Sequence, residues 1–282
     1  MRREATSVEG SGRAAVIVAL VAAAMTLIIA AQLFRLQSVG KSAAAIAMAA
    51  DMDMRDTRKY WSFPILQASG LVALALAYVT AVLGLVDGIG KATGRASPRL
   101  EHVHRQISWA VVVLLAVHMV ATALDAMGDS WRTVLIPGSW ASQGWPAAVT
   151  GYNTGIFAAY LLAILGPTYY ARRVLSVRTW RLVHRGMAAF YVLSIWHAMI
   201  LGLDLAYYPW LRPLIWSLQI PLAMLVMVRL YRSAWPSTVR ERRPTTRASQ
   251  IVSAIAFVAC GLAAIAILVI VLTGRTGFIS TV

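Results

Sequence analysis

Cysteine is almost absent from this chain of 282 residues: Cys260 stands alone, inside an apolar run. One thiol excludes an intrachain disulfide, a Cys-ligated iron–sulfur cluster and covalent CxxCH attachment of a prosthetic group. Charge is also scarce. Asp, Glu, Lys and Arg make up 13% of the residues, against about 25% in ordinary soluble domains, so there is little material for a separate soluble domain. Acids are fewer than bases, 11 Asp and Glu against 26 Lys and Arg. The net charge of +15 would suit nucleic acid, but the Arg residues cluster between apolar runs, as the positive-inside bias of membrane proteins predicts. Nucleic acid is set aside as a partner on that ground. HExxH and GxSxG are missing, which argues against a membrane peptidase. The Gly-rich stretch GLVDGIGKATGRASPR is no phosphate loop: Gly84 and Gly90 are one residue too far apart, and Ala92 follows Lys91 where Ser or Thr is required.

What is present is apolar surface. Hydrophobic residues make up 59% of the chain and the mean hydropathy is +0.68. Runs of about 20 apolar residues recur, the length that crosses a hydrocarbon core of about 30 Å. The reading is an all-α, polytopic membrane helical bundle of about seven transmembrane helices, a six-helix core plus one C-terminal helix. A polar lead, 1–13, precedes a transmembrane core over 14–231, a basic loop over 232–250, and a further helix with a short tail over 251–282. The spans are Ala14 to Leu33, Trp61 to Val86, Leu100 to Leu124, Tyr152 to Tyr170, Arg181 to Leu203, Trp210 to Leu230 and Ile251 to Thr273. The first is read as a retained helix, since signal-peptide apolar regions run to only about 7–15 residues. Residues 34–60 form a loop in which SAAAIAMAADMDM is either a short surface helix or a small-residue linker. The Gly-rich stretch after span two is expected as a flexible turn. Trp131, Trp140 and Trp145 suit a membrane interface. The loops after spans two, four and six carry most of the basic residues, which places the N-terminus in the cytoplasm and the C-terminus outside. The loop after span one, with Arg35, Lys41, Arg55, Arg58 and Lys59, departs from that pattern. Size and compactness point to the plasma membrane of a prokaryote.

Function is carried by histidine. Four of the five histidines form a matched pattern in two of the spans: His104 and His118 in LEHVHRQISWAVVVLLAVHMVATAL, His184 and His197 in the span from Arg181. Fourteen residues separate the first pair, about 21 Å of helix with about 40° between the two side chains. Thirteen separate the second, about 19–20 Å. Both helices start on the same membrane side, so His104 matches His184 in depth and His118 matches His197. Each pair can bracket a flat macrocycle, giving two non-covalent b-type haems with all four histidines as metal ligands. On an ideal helix thirteen residues turn about 220°, so placing His184 and His197 on one face needs tilt, local overwinding or a π-bulge. Arg105 and Arg185 follow the ligands nearest the basic side and suit haem propionates, with Arg99, Arg178 and Arg181 close by and Arg132 toward the opposite side. Phe190 and Tyr191 fall midway between the two haem levels.

A single histidine at a membrane edge is more often a snorkelling or hydrogen-bonded residue, whereas polar groups deep in a span are rare and functional. His102, about 160° from His118 around the helix, reads as such an interface residue. A transporter or assembly protein using these histidines for protons would want mid-depth carboxylates, and the only nearby acids, Asp87 and Asp204, sit at span ends. A quinone-linked cytochrome b anchor of a respiratory complex is the nearer alternative.

The motifs HR-x12-H, at His104, Arg105 and His118, and HR-x11-H, at His184, Arg185 and His197, resemble those of the ferric reductase-like transmembrane domain superfamily, which includes NADPH oxidases and bacterial haem-binding reductase subunits. The resemblance covers about Trp61 to Tyr231. It implies two haems on the third and fifth helices at this unequal spacing, and electron transfer across the membrane. NADPH oxidases and ferric reductases carry a flavin and nicotinamide domain after span six. Here only 231–250 lies between spans six and seven, so the resemblance implies a separate donor: a flavoprotein or other redox subunit, or a quinol. The acceptor would be extracytoplasmic.

Overall fold

A chain this apolar must satisfy its backbone polar groups within each segment, because lipid offers no partners. The computed structural model describes residues 2–47, 53–95, 97–126, 130–139, 146–234 and 247–273, and among these there is helix but no strand. Eleven α-helices occur in the described residues: α1 Arg2–Ser38, α2 Ala43–Ala47, α3 Ser62–Ala92, α4 Pro98–Ala123, α5 Trp131–Leu135, α6 Pro146–Leu165, α7 Val177–Arg185, α8 Met187–Leu201, α9 Leu203–Tyr207, α10 Leu211–Ala234 and α11 Arg247–Thr273, with a 3₁₀ segment Gly166–Arg173 after α6. Six stretches among the described residues are long and apolar enough to cross a membrane: Ala15–Ser38, Ser62–Lys91, Pro98–Ala123, Val149–Tyr170, Leu211–Arg232 and Gln250–Thr273. The chain is thus an all-helical, multi-pass membrane protein. Trp140, Trp145, the centre of the basic loop and the C-terminal tail lie outside the described residues, as do the side chains of Arg172, Arg173 and Arg178.

Three elements differ from the sequence reading. The lead is helical from Arg2, continuous with the first span. The Gly-rich stretch after span two is not a flexible turn: α3 runs through Gly84, Gly88 and Gly90 to Ala92, and Asp87 and Lys91 pair across one helical turn at 2.7 Å. The helix ends only at Gly94, whose φ of +78° is the left-handed conformation favoured at helix C-termini. There the Arg95 N–H donates to Gly90 O at 2.8 Å. The span Arg181 to Leu203 is divided at Gly186 into α7 and α8. Around that break the Gly186 N–H donates to Val183 O at 2.9 Å and the Ala189 N–H to Gly186 O at 3.0 Å. These are i to i−3 bonds, which turn the chain about 120° per residue instead of about 100°. The chain is therefore locally overwound at Gly186, between His184 and His197.

The described residues form two compact units, one from 1–78 and 106–207, the other from 79–105 and 208–282. The first packs through small residues, which let helices approach closely where lipid supplies no hydrophobic drive. Ala22, Val72, Ala73 and Leu114 form one cluster, and Ala30, Leu33 and Ala68 another. The short α2 is no surface helix: Ala43 and Ala45 are buried, and Ala45 clusters with Met54, Tyr60 and Phe63, against which Leu203 packs. In the second unit α10 lies along α11, with the Tyr231 and Phe257 rings 6.0 Å apart. Ala68 has no exposed surface. Ala68→Leu is expected to cost about 1–3 kcal/mol through overpacking, read as a lower unfolding temperature in detergent.

Candidate functional site

Three of the four histidines are held in the same way. The Nδ1–H of His118 donates to Leu66 O at 2.7 Å, that of His104 to Thr80 O at 3.0 Å, and that of His197 to Gly151 O at 2.9 Å, with Nδ1 as the protonated tautomer in each. Each acceptor is a carbonyl inside a neighbouring helix, α3 for the first two and α6 for the third. The bond orients each ring, and in His118 and His197 it leaves the Nε2 lone pair for a metal, the arrangement by which ligand histidines are usually fixed. Leu66 and Thr80 are spaced along α3 by the same interval as His104 and His118 along α4, and the two series meet in reverse order. One helix thus serves both histidines of the other.

The first unit brings His118 and His197 together. Their ring centroids are 6.1 Å apart and the planes stand at 89°. Two imidazoles that each place a nitrogen about 2.0–2.1 Å from a shared metal have centroids roughly 6.4 Å apart, so the separation fits a common axial position. Among the described residues no three His, Cys, Asp or Glu side chains converge as a metal cage. Paired imidazoles suit a macrocycle that brings four equatorial nitrogens of its own, so the donor set fits haem.

The remaining candidates are placed as follows. His184, near the end of α7, is exposed and stacks on Trp180, with centroids 5.2 Å apart and an 18° angle. Arg185 and Arg181 are exposed on the same helix, and Arg132 is exposed on α5. Phe190 and Tyr191 are buried in α8. Arg105 donates to His102 Nδ1 at 2.9 Å, beside a hollow of about 270 Å³ that Pro98, Glu101, His102 and Arg105 line. His102 therefore fixes a basic side chain at the head of α4. Lys91 bridges Asp87, at 2.7 Å, and Glu101, at 2.9 Å. Beyond the spans, burial pushes the Asp204 carboxyl up to about 6.

Sequence reading missed the glycines that pack on these three histidines. A Cβ at Gly70 would stand 3.0 Å from His118 Nδ1, and one at Gly84 3.1 Å from His104 Cε1. At Gly155 it would stand 2.7 Å from His197 Cε1 and nearer still to Nδ1. The available signal was the interval from Gly70 to Gly84, which equals that between the two histidines they face.

Taken together, these features define a multi-pass helical membrane protein with half-buried, tautomer-fixed imidazoles. Residues 69–195, somewhat under half of the chain, match the family model described as ferric reductase like transmembrane component. The matched segment holds His104, His118 and His184 and stops just before His197. The match suggests a role in transmembrane electron transfer. No curated protein and no solved structure matches the chain.

Proposed function

We propose that the chain carries electrons across a plasma membrane by means of two b-type haems, as the membrane cytochrome of a reductase. The observation that carries this reading is the His118–His197 pair: two imidazoles 6.1 Å apart, each with Nδ1 committed to a backbone carbonyl and Nε2 available. His104 and His184 are proposed as the second ligand pair on the strength of the HR-x12-H and HR-x11-H motifs. When bound, the haems supply one-electron redox centres. His118 with His197, and His104 with His184, would each hold one haem, and a haem held by two histidines would pass its electron to the acceptor without binding it. Arg105 and Arg185 supply cations for propionates on the cytoplasmic side, with the N-terminus inside. Phe190 and Tyr191, both buried, fill the space between the two haem levels and keep water out of it.

A separate donor is part of the proposal. Between α10 and α11 lie only residues 235–246, too few for a nucleotide-binding domain. A flavoprotein, another redox subunit or a quinol would deliver electrons at the cytoplasmic side or from the membrane. An extracytoplasmic acceptor would take them, with a gain of about 2.3 kcal/mol per electron per 100 mV of inside-negative potential.

Reconstitution tests the reading. Vesicles containing the haem-loaded protein and trapped ferricyanide, given external dithionite, are expected to bleach the ferricyanide much faster than protein-free vesicles. His118→Ala is expected to abolish the difference. Equal rates with and without the wild-type protein would remove electron transfer as the function.

A further inference from the structure

Each of the three fixed histidines meets its partner helix in one repeated pattern. The ring bonds to the carbonyl of residue i, and residue i+4 of that helix is glycine: Leu66 and Gly70 for His118, Thr80 and Gly84 for His104, Gly151 and Gly155 for His197. The geometry of the α-helix explains why. Every Cα–Cβ bond tilts toward the helix N-terminus, so a side chain covers the surface over the turn before its own Cα. The carbonyl of residue i is therefore shielded by the side chain of residue i+4. An imidazole reaches that carbonyl from outside the helix most readily where residue i+4 has no Cβ. The pattern occurs twice on α3, at the interval that separates His104 from His118, and again on α6, which shares no sequence with α3.

We propose that Gly70, Gly84 and Gly155 are positioning residues for the haem ligands, each clearing the path by which one histidine fixes its tautomer and ring orientation on a helix carbonyl. The proposal rests on the haem reading above and extends it from the ligands to the surfaces that aim them. A methyl group at any of these positions turns or displaces the ring. Gly155 leaves least room: its Cβ would come within 2.7 Å of His197 Cε1 and closer still to Nδ1, whereas those of Gly70 and Gly84 would stand 3.0 and 3.1 Å from their rings.

In haem-loaded protein, Gly155→Ala is expected to weaken haem retention at the His118–His197 site by about 10–100-fold, the usual range for loss of a ligand's supporting contact. Gly70→Ala and Gly84→Ala are expected to keep haem but to shift the low-spin electron paramagnetic resonance signal and midpoint potential of one haem each. Gly261→Ala, where the nearest atom is Met227 Cε at 3.5 Å, is expected to change neither. A double-mutant cycle reads the contact apart from redox chemistry. Gly155→Ala is expected to lower the unfolding temperature in detergent in the wild-type background and to have little further effect in His197→Ala, because the ring it strikes is gone. Equal effects in both backgrounds, or unchanged signals and potentials in all three alanine variants, would overturn the proposal. Wild-type protein that takes up no haem would instead defeat the haem reading, while the cycle would still report whether glycine and imidazole are coupled.

Discussion

His197→Ala protein is expected to carry about one haem per chain where the wild type carries about two, and to keep the low-spin b-type spectrum of the one that remains. The expectation follows from sharing. His118 and His197 are the pair brought to 6.1 Å, and under the proposed function the loss of either would leave one haem held by a single histidine. Because both serve one group, His118→Ala is expected to have the same result, and the double variant to lose no more than either single one, the non-additivity of residues that act as a unit. Cys260→Ala is the control: its thiol lies on α11 and donates to Ala223 O, so haem content should stay at the wild-type level. Haem per chain, by pyridine haemochrome against protein concentration, measures all four variants. Loss of both haems from His197→Ala alone would mean that the two sites are not separable.

Asp204→Asn is expected to stabilise the protein at neutral pH. The carboxyl is 4% exposed, and its Oδ1 has no hydrogen-bond partner among the described residues. Burial alone raises its pKa from 3.8 to about 6. A carboxyl whose pKa is higher folded than unfolded contributes stability that is fully present below about pH 4 and lost as pH rises through about 6. At pH 7 the penalty is on the order of 2–3 kcal/mol, and asparagine, which does not ionise, avoids it. Thermal unfolding in detergent at pH 4 and pH 7.5 decides the matter. The variant should exceed the wild type at pH 7.5, and the gap should close at pH 4. A gap independent of pH would show that ionisation of Asp204 is not its cause.

The spans and the histidines were legible because each leaves a periodic mark. A long apolar run announces a crossing, and His104 and His118 announce a shared face through a spacing close to four helical turns. The acceptors of their ring protons left no such mark: Leu66, Thr80 and Gly151 act through backbone oxygen, which every residue possesses. Only the glycines four positions later carry a side-chain signature, and glycine in a sequence is read first as a turn. The same rule misled over Gly84, Gly88 and Gly90. These lie in helix because an imidazole, the Arg229 guanidinium and the Arg95 carbonyl, respectively, approach them closely, and only Gly94 ends the helix. The break at Gly186 was hidden for a related reason. A glycine inside an apolar run costs a helix only about 1 kcal/mol relative to alanine, so its presence does not say whether the helix continues. The geometric mismatch between His184 and His197 was the visible sign that something between them had to give.

The most direct test of the account is the haem content of the purified full chain, produced with haem available, together with its reduced-minus-oxidised spectrum. The account predicts about two non-covalent haems per chain, both low-spin and both extracted by acidified organic solvent. A folded, homogeneous preparation that contains no haem would contradict it, and the half-buried imidazoles would then have to be explained as packing groups.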